Sequence, residues 1–212
     1  MDLIIIQARM GSSRLPGKML LPILGDPLII FLLKKLNIHF DKKNIIIATS
    51  KNIENDILEK VCKKNGYQVF RGDENDVLSR FVLINNSIKS KNIIRLTGDN
   101  PMIDINLIKE VLKFHKSNDF DFTSTREVID KKIVRYAPKG KSVDVFKSNL
   151  LKNLNINSLS DFDKEHVIPF FYSNHFKYGI YKSNQENNIS SIENYSIDTS
   201  EDYLRIKKII EQ

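Results

Sequence analysis

The sequence predicts an α/β fold, a sheet covered on both faces by helices, and three observations carry that prediction. Almost wholly apolar runs of strand length recur at residues 3–8 (LIIIQA), 44–49 (NIIIAT) and 93–97 (IIRLT), as expected of strands buried on both faces. Stretches with a single apolar stripe at helical spacing separate them. The connections are short, which favours right-handed crossovers within one sheet.

Taken in order, the first strand is followed by a helix around residues 28–36 and a second strand at 44–49. Ile53, Ile57, Val61 and Cys62 predict a helix over 53–64 that Gly66 ends. A third strand is expected at 67–70, then a helix carrying Val77, Leu78, Phe81, Val82, Ile84 and Ile88. The strand at 93–97 is stopped by Gly98, Asp104 caps a helix running to about Lys116, and 121–124 reads as a strand.

The rhythm changes after residue 126. Strands are expected at 133–136 and 142–146, joined around the turn Pro138-Lys139-Gly140. Residues 150–160 read as loop or weak helix, 162–172 as a helix disturbed by Pro169, and 179–182 and 195–197 as strands. Thr199 to Asp202 opens a closing helix whose apolar face takes in Tyr203, Leu204, Ile206 and Ile210. There is no internal repeat. The economical reading is one domain over 1–212, interrupted by a small α+β subdomain at 127–178.

Composition narrows the function classes. At 41% hydrophobic and 28% charged, the 212 residues fall in the globular range. No stretch reaches the roughly 18–20 apolar residues that span a bilayer. The apolar start is short and runs into a glycine and arginine segment, unlike a signal peptide. A lone cysteine, Cys62, excludes an intramolecular disulfide and fits a reducing cytoplasm. The net charge of +7 comes from lysines scattered among Asn and Ile. That reads as compositional bias rather than a nucleic-acid surface, and it favours a small anionic substrate.

The strongest local signal is the segment 7–18, QARMGSSRLPGK, at the C-terminal end of the first strand. That edge is where such sheets bind ligands. Gly11 permits close backbone approach to phosphate oxygens, Arg9, Arg14 and Lys18 surround them with positive charge, and Pro16-Gly17 turns the chain to present Lys18. The spacing matches neither the ATPase phosphate loop nor G-x-G-x-x-G. The second signal is Arg95-Leu96-Thr97-Gly98-Asp99, where Asp99 past a central strand suits Mg²⁺, a metal that takes one or two carboxylates plus substrate phosphates. Asp198 follows another short strand and supplies a second carboxylate. Arg71 and the stretch 73–76 lie beyond the third strand, within reach of a base or ribose, or else form a solvated turn. Glu165 and His166 share one helix. His39, His115 and His175 are too scattered for a zinc site.

These motifs resemble the spore-coat polysaccharide cytidylyltransferase-like family, related to the acylneuraminate and 3-deoxy-manno-octulosonate cytidylyltransferases. The opening IIIQARMGSSRLPGKMLLPILGDPLI carries the likeness, and RGDENDVLSRF, IIRLTGDNPMID, DVFKS, DFDKEHVIPF and YSIDTSEDYLRI continue it in order over essentially the whole chain.

The resemblance implies a Rossmann-like, three-layer nucleotidyltransferase fold with a mixed, mostly parallel sheet. It also implies transfer of a cytidylyl group from CTP to an acidic sugar, with Mg²⁺ and release of pyrophosphate. On it, Ala8, Arg9, Gly11 and Ser12 belong to the loop around base and phosphates, Arg14 and Lys18 to the triphosphate, and Arg71, Arg80 and Thr97 to the nucleotide edge. Asp99 and Asp198 match metal-binding carboxylates, and Glu165 and His166 match a pair on the acceptor side. Asp144 stands where relatives place a glutamate with an acceptor role, and the inserted subdomain would build a homodimer. Nucleotidyl transfer from GTP or UTP to a phosphorylated acceptor, a glycosyltransferase of related fold, and an inactive nucleotide-binding partner are the competing readings.

Overall fold

The computed structural model describes residues 1–129, 132–152, 154–172, 175–182 and 194–212. The chain opens with β1 (Asp2–Gln7), and the loop after it closes in a 3-10 turn at Lys18–Leu20. A two-stranded ribbon of β2 (Pro22–Ile23) and β3 (Asp26–Pro27) leads into α1 (Leu28–Asn37). Strand and helix then alternate through β4 (Ile45–Ser50), α2 (Asp56–Lys64), β5 (Gln68–Gly72), α3 (Val77–Ser87), β6 (Asn92–Thr97), α4 (Ile105–Ser117) and β7 (Phe122–Ser124). The remainder holds β8 (Arg126–Ile129), β9 (Lys132–Arg135), β10 (Asp144–Lys147), α5 (Asp161–His166), α6 (Pro169–Tyr172), β11 (Tyr178–Ile180) and α7 (Ser200–Glu211).

Among the described residues the main sheet has seven strands in the order β5-β4-β1-β6-β10-β7-β11. All neighbouring pairs are parallel except those of β10, which runs antiparallel between β6 and β7. β1 pairs with β4 on one side and β6 on the other, so the direction of winding reverses there. At such a switch point the loops leaving neighbouring strands diverge and open a crevice at the C-terminal edge.

Side-chain alternation along β1 builds the two faces. Ile4 and Ile6 pack with α1, Leu58 and Cys62 of α2, Ile108 of α4 and Ile206 of α7, whereas Leu3 and Ile5 pack with Phe81 of α3 and Phe171 of α6. The second face is mostly aliphatic but carries a group of buried phenylalanines, Phe81, Phe122, Phe146 and Phe171. Phe171 stacks on Phe146 at 4.7 Å and on Phe122 at 5.1 Å between ring centroids.

Several expectations from sequence need correction. Ile53 and Ile57 are exposed and the inward residues of α2 are Leu58 and Cys62, because a separate 3-10 turn at Ile53–Asn55 puts Ile53 out of phase with the helix. Leu204 faces solvent rather than the core. The strand at 133–136 does not pair with that at 142–146. β9 instead pairs with β8, an unforeseen strand, while β10 enters the main sheet. The 195–197 segment is not a strand; only an isolated bridge joins Lys139 to Asn194. Within 127–178, therefore, β10 belongs to the main sheet and the β8–β9 hairpin forms a small sheet of its own.

Candidate active site

Two loops meet at the switch point, one after β1 and one after β6. Their junction is tight: a Cβ at Gly98 would lie 3.0 Å from both the Ala8 Cβ and the Met19 Sδ, and 3.2 Å from Ile29 Cδ1. Gly98 also donates its N–H to the Gln7 carbonyl at 2.8 Å, tying the loops to each other. Within the first loop the Met10 carbonyl accepts from both Ser12 and Gly17 at 2.9 Å, and Gly17 takes a left-handed φ of 73° just before Lys18. The loop thus folds back so that Lys18 points inward.

Lys18 is 7% exposed, and its ammonium donates to Asp99 Oδ2 at 2.7 Å, the Ile197 carbonyl at 2.7 Å and Asp198 Oδ1 at 3.5 Å. One cation therefore draws both candidate metal carboxylates to a single point. Asp198 also pairs with Lys139 at 2.8 Å and Arg14 at 3.2 Å. Burial works to raise the Asp198 pKa, but Lys139, Lys18 and Arg14 outweigh it and hold the carboxyl below its ordinary value. The capping box of α7 steadies the same residue. Asp202 accepts from the backbone N–H groups of Asp198 and Thr199 at 3.2 Å, and Thr199 caps in return.

A cavity of about 310 Å³ opens over this point. Of the residues singled out in the sequence, Ala8, Arg9, Ser12, Arg14, Lys18, Arg80, Thr97, Asp99, Glu165, His166 and Asp198 all line it. Arg80 is 3% exposed and locked by donating to the carbonyls of Asp73 and Glu74, each at 2.7 Å. Glu165 and His166 reach the cavity from the last turn of α5, which Val167 ends with a positive φ of 65°. Pro169 then starts α6 at its first position, where its missing N–H costs nothing.

Three singled-out residues lie elsewhere. Arg71 is not on the cavity wall; it pairs with Asp56 at 2.6 Å and Glu59 at 2.8 Å, and donates to the carbonyls of Ser50 and Asn52. Gly11 also lies off the wall, and a Cβ there would meet Glu54 Oε1 at 3.1 Å. Asp144 is 1% exposed and accepts from Arg95 at 2.8 Å, Arg126 at 2.6 Å and Ser124 at 2.7 Å. It reaches the site only through those arginines, because its place on β10 opposite Arg95 and Ser124 turns it inside the sheet.

A second cavity of about 430 Å³ adjoins the first and shares Arg95, Thr97, Asp99, His166 and Asp198 with it. Its remaining wall includes Arg126, Arg135 and Lys139. The sequence places Lys139 in a turn and gives no functional role to it or to Arg95, Arg126 or Arg135. A charged residue inside the apolar run NIIRLT was the one available signal; nothing local marked the other three.

Asp99 and Asp198 fit a Mg²⁺ site. Both carboxylates converge on the Lys18 ammonium, beside further cationic side chains suited to phosphate. That donor set matches a metal that takes one or two carboxylates and completes its shell with phosphate oxygens and water.

Similarity to known proteins agrees with this geometry. Residues 3–212 match the family model described as Cytidylyltransferase. The chain belongs to the cytidylyltransferase family. It is 37% identical over 216 residues to the spore coat polysaccharide biosynthesis protein SpsF of Bacillus subtilis, covering 99% of this chain and 86% of that protein. A solved cytidylyltransferase from Leptospira borgpetersenii superposes with a TM-score of 0.86 at 31% identity, over 99% of this chain and 86% of that one. The 3-deoxy-manno-octulosonate cytidylyltransferase of a Psychrobacter species is 30% identical over 113 residues, covering 51% of this chain and 40% of that protein. The chain is thus a CTP-dependent nucleotidyltransferase, and the glycosyltransferase reading falls away. No described helix is long and apolar enough to cross a membrane.

Proposed function

We propose that this cytidylyltransferase transfers CMP from CTP to an acidic sugar of the nonulosonate or octulosonate type, releasing pyrophosphate, for surface-glycan precursors. The observation that carries the reading is the convergence of Arg14, Lys18, Asp99 and Asp198 at the switch point, where one cavity receives both candidate phosphate ligands and candidate metal ligands. An acceptor oxygen attacks the α-phosphorus of CTP, a new P–O bond forms, and the bond to the β-phosphate oxygen breaks. Arg14 and Lys18 stabilise the departing pyrophosphate by charge-assisted hydrogen bonds. Asp99 and Asp198 would hold Mg²⁺, which supplies Lewis-acid neutralisation of phosphate charge when bound. No protein nucleophile is needed. Glu165 and His166 line the acceptor side, and Ala8, Arg9, Ser12, Arg80 and Thr97 surround the nucleotide.

The test is pyrophosphate release with Mg²⁺, crossing each nucleoside triphosphate against acidic sugars and sugar phosphates. Acceptor-dependent release with CTP and an acidic sugar is the expected result. Release only with GTP or UTP, or only with phosphorylated acceptors, would replace the substrate assignment. Asp99→Ala should lower the rate by about 100-fold or more, and near-normal transfer at saturating Mg²⁺ would remove Asp99 from the metal site.

The proposal extends to assembly. Residues 127–178 contribute to acceptor binding and build a homodimer, supported by the exposure of Ile129 (45%) and Ile133 (50%) on the β8–β9 hairpin.

A further inference from the structure

An unbalanced cluster of positive charge lies beneath the second cavity. Arg95 is one of the few charged residues in the interior of the sheet, at 8% exposure on central β6. A guanidinium so placed requires a carboxylate partner. Strand register provides Asp144, directly opposite on β10. The same oxygen, Asp144 Oδ2, also accepts from Arg126, at 2.6 Å against 2.8 Å for Arg95. The other oxygen is taken by the Ser124 hydroxyl at 2.7 Å. One carboxylate therefore serves two guanidiniums, leaving one positive charge in excess.

Two further observations point to anion recognition. The Nε atoms of both Arg95 and Arg126 are buried without a hydrogen-bond partner, a costly state for charged donors. Arg135 stands directly across the hairpin from Arg126, a like-charge cross-strand pair of the kind that destabilises a ribbon. No ion pair holds Arg135 among the described residues, and partial desolvation of its exposed side chain, with the like charge of Arg126, pushes its pKa down. Arg95, Arg126 and Arg135 all line the cavity that adjoins Asp99 and Asp198. The carboxylates of that shared wall are already engaged, Asp99 by Lys18, and Asp198 by Lys18, Lys139 and Arg14. The arginine charge is thus free to meet a ligand.

We infer that Arg126 and Arg135, with Arg95 behind them, form an oxyanion seat for the acceptor. It takes one planar or tetrahedral anionic group, a carboxylate or a phosphate monoester, and holds the attacking oxygen on the Asp99 and Asp198 side. Asp144 sets the two guanidiniums from below and does not touch the acceptor. The inference rests on the transferase reading above and deepens it by naming the acceptor's recognition group.

The experiment is calorimetric titration of the full chain saturated with CTP and Ca²⁺, using 3-deoxy-manno-octulosonate as carboxylate probe and inorganic phosphate as phosphate probe. At least one anion should bind the wild type; Arg126→Gln should weaken it by about 30-fold or more and the exposed Arg135→Gln by about fivefold. CTP affinity should stay within about twofold in both, since neither residue lines the nucleotide cavity. Arg135→Gln sits on an exposed position, so the test survives if the half-buried Arg126→Gln fails to fold. Binding of the carboxylate alone or of phosphate alone supports the seat and names its ligand. Unchanged anion affinity in the Arg135→Gln protein, or a CTP-bound wild type that takes neither anion, overturns the seat and leaves nucleotidyl transfer standing. A wild type that binds no CTP removes both.

Discussion

At the scale of single residues, Gly98 illustrates how a small side chain sets the site. It allows the loops after β1 and β6 to touch, and an added methyl would press on Ala8, Met19 and Ile29. Gly98→Ala should destabilise the chain by about 1–3 kcal/mol, as overpacking of a tight contact does. Thermal denaturation would measure this, and CTP titration should show weaker binding because the loops must separate.

His115 gives a second residue-scale expectation. It is 1% exposed, its Nδ1 meets the Thr123 hydroxyl at 2.9 Å, and its Nε2 has no partner. Burial first, and then Lys147, push its pKa from 6.5 down to about 4 against the opposing pull of Asp121, Asp119 and Asp2. Between pH 6.5 and 4 the unfolded chain accepts a proton that the folded chain refuses, so stability falls as pH drops through that window and levels off below it. The loss is on the order of 2–3 kcal/mol. Urea melts at pH 7, 5.5 and 4.5 would detect it, and His115→Gln should flatten the slope.

At the scale of elements, the ends of helices matter more than their lengths. The break at Val167 and Pro169 divides a predicted single helix into α5 and α6, and the division turns His166 toward both cavities. Pro169 was readable as a disturbance; the side on which Glu165 and His166 would fall was not, because it depends on how α5 leans on α3. The start of α7 works similarly on Asp198. Thr199→Ala removes the N-cap and should cost about 1 kcal/mol. Because Asp202 then loses its reciprocal partner, Asp198 should loosen too. Comparing Mg²⁺ dependence of turnover with CTP affinity in this variant should show a larger change in the former.

At the scale of the whole molecule, β10 joins the two halves of the chain. It fills the gap between β6 and β7 and runs against both, so a segment read from sequence as part of an excursion completes the main sheet. What remains outside that sheet around it is the β8–β9 hairpin with its exposed Ile129 and Ile133. If that hairpin builds the homodimer, sedimentation of the wild type should give twice the chain mass, and Ile133→Asp should yield monomers with CTP affinity retained. A monomeric wild type at micromolar concentration would remove the dimer proposal.

Local sequence sufficed for the alternation of strands and helices, the caps at Asp104 and Thr199, and the chemistry of the loop at residues 7–18. These depend on periodicity, turn residues and charge within a dozen positions, which local order preserves. It also marked Asp99 and Asp198, each read as following a strand, although the segment before Asp198 is not one. Folding in three dimensions was needed to join Lys18 to those two carboxylates, to engage Arg71 with Asp56 and Glu59, and to lay Asp144 beneath Arg95 and Arg126. Each of those outcomes is a pairing choice among several possible partners. Strand order and register make the choice by setting which side chains face each other across the sheet.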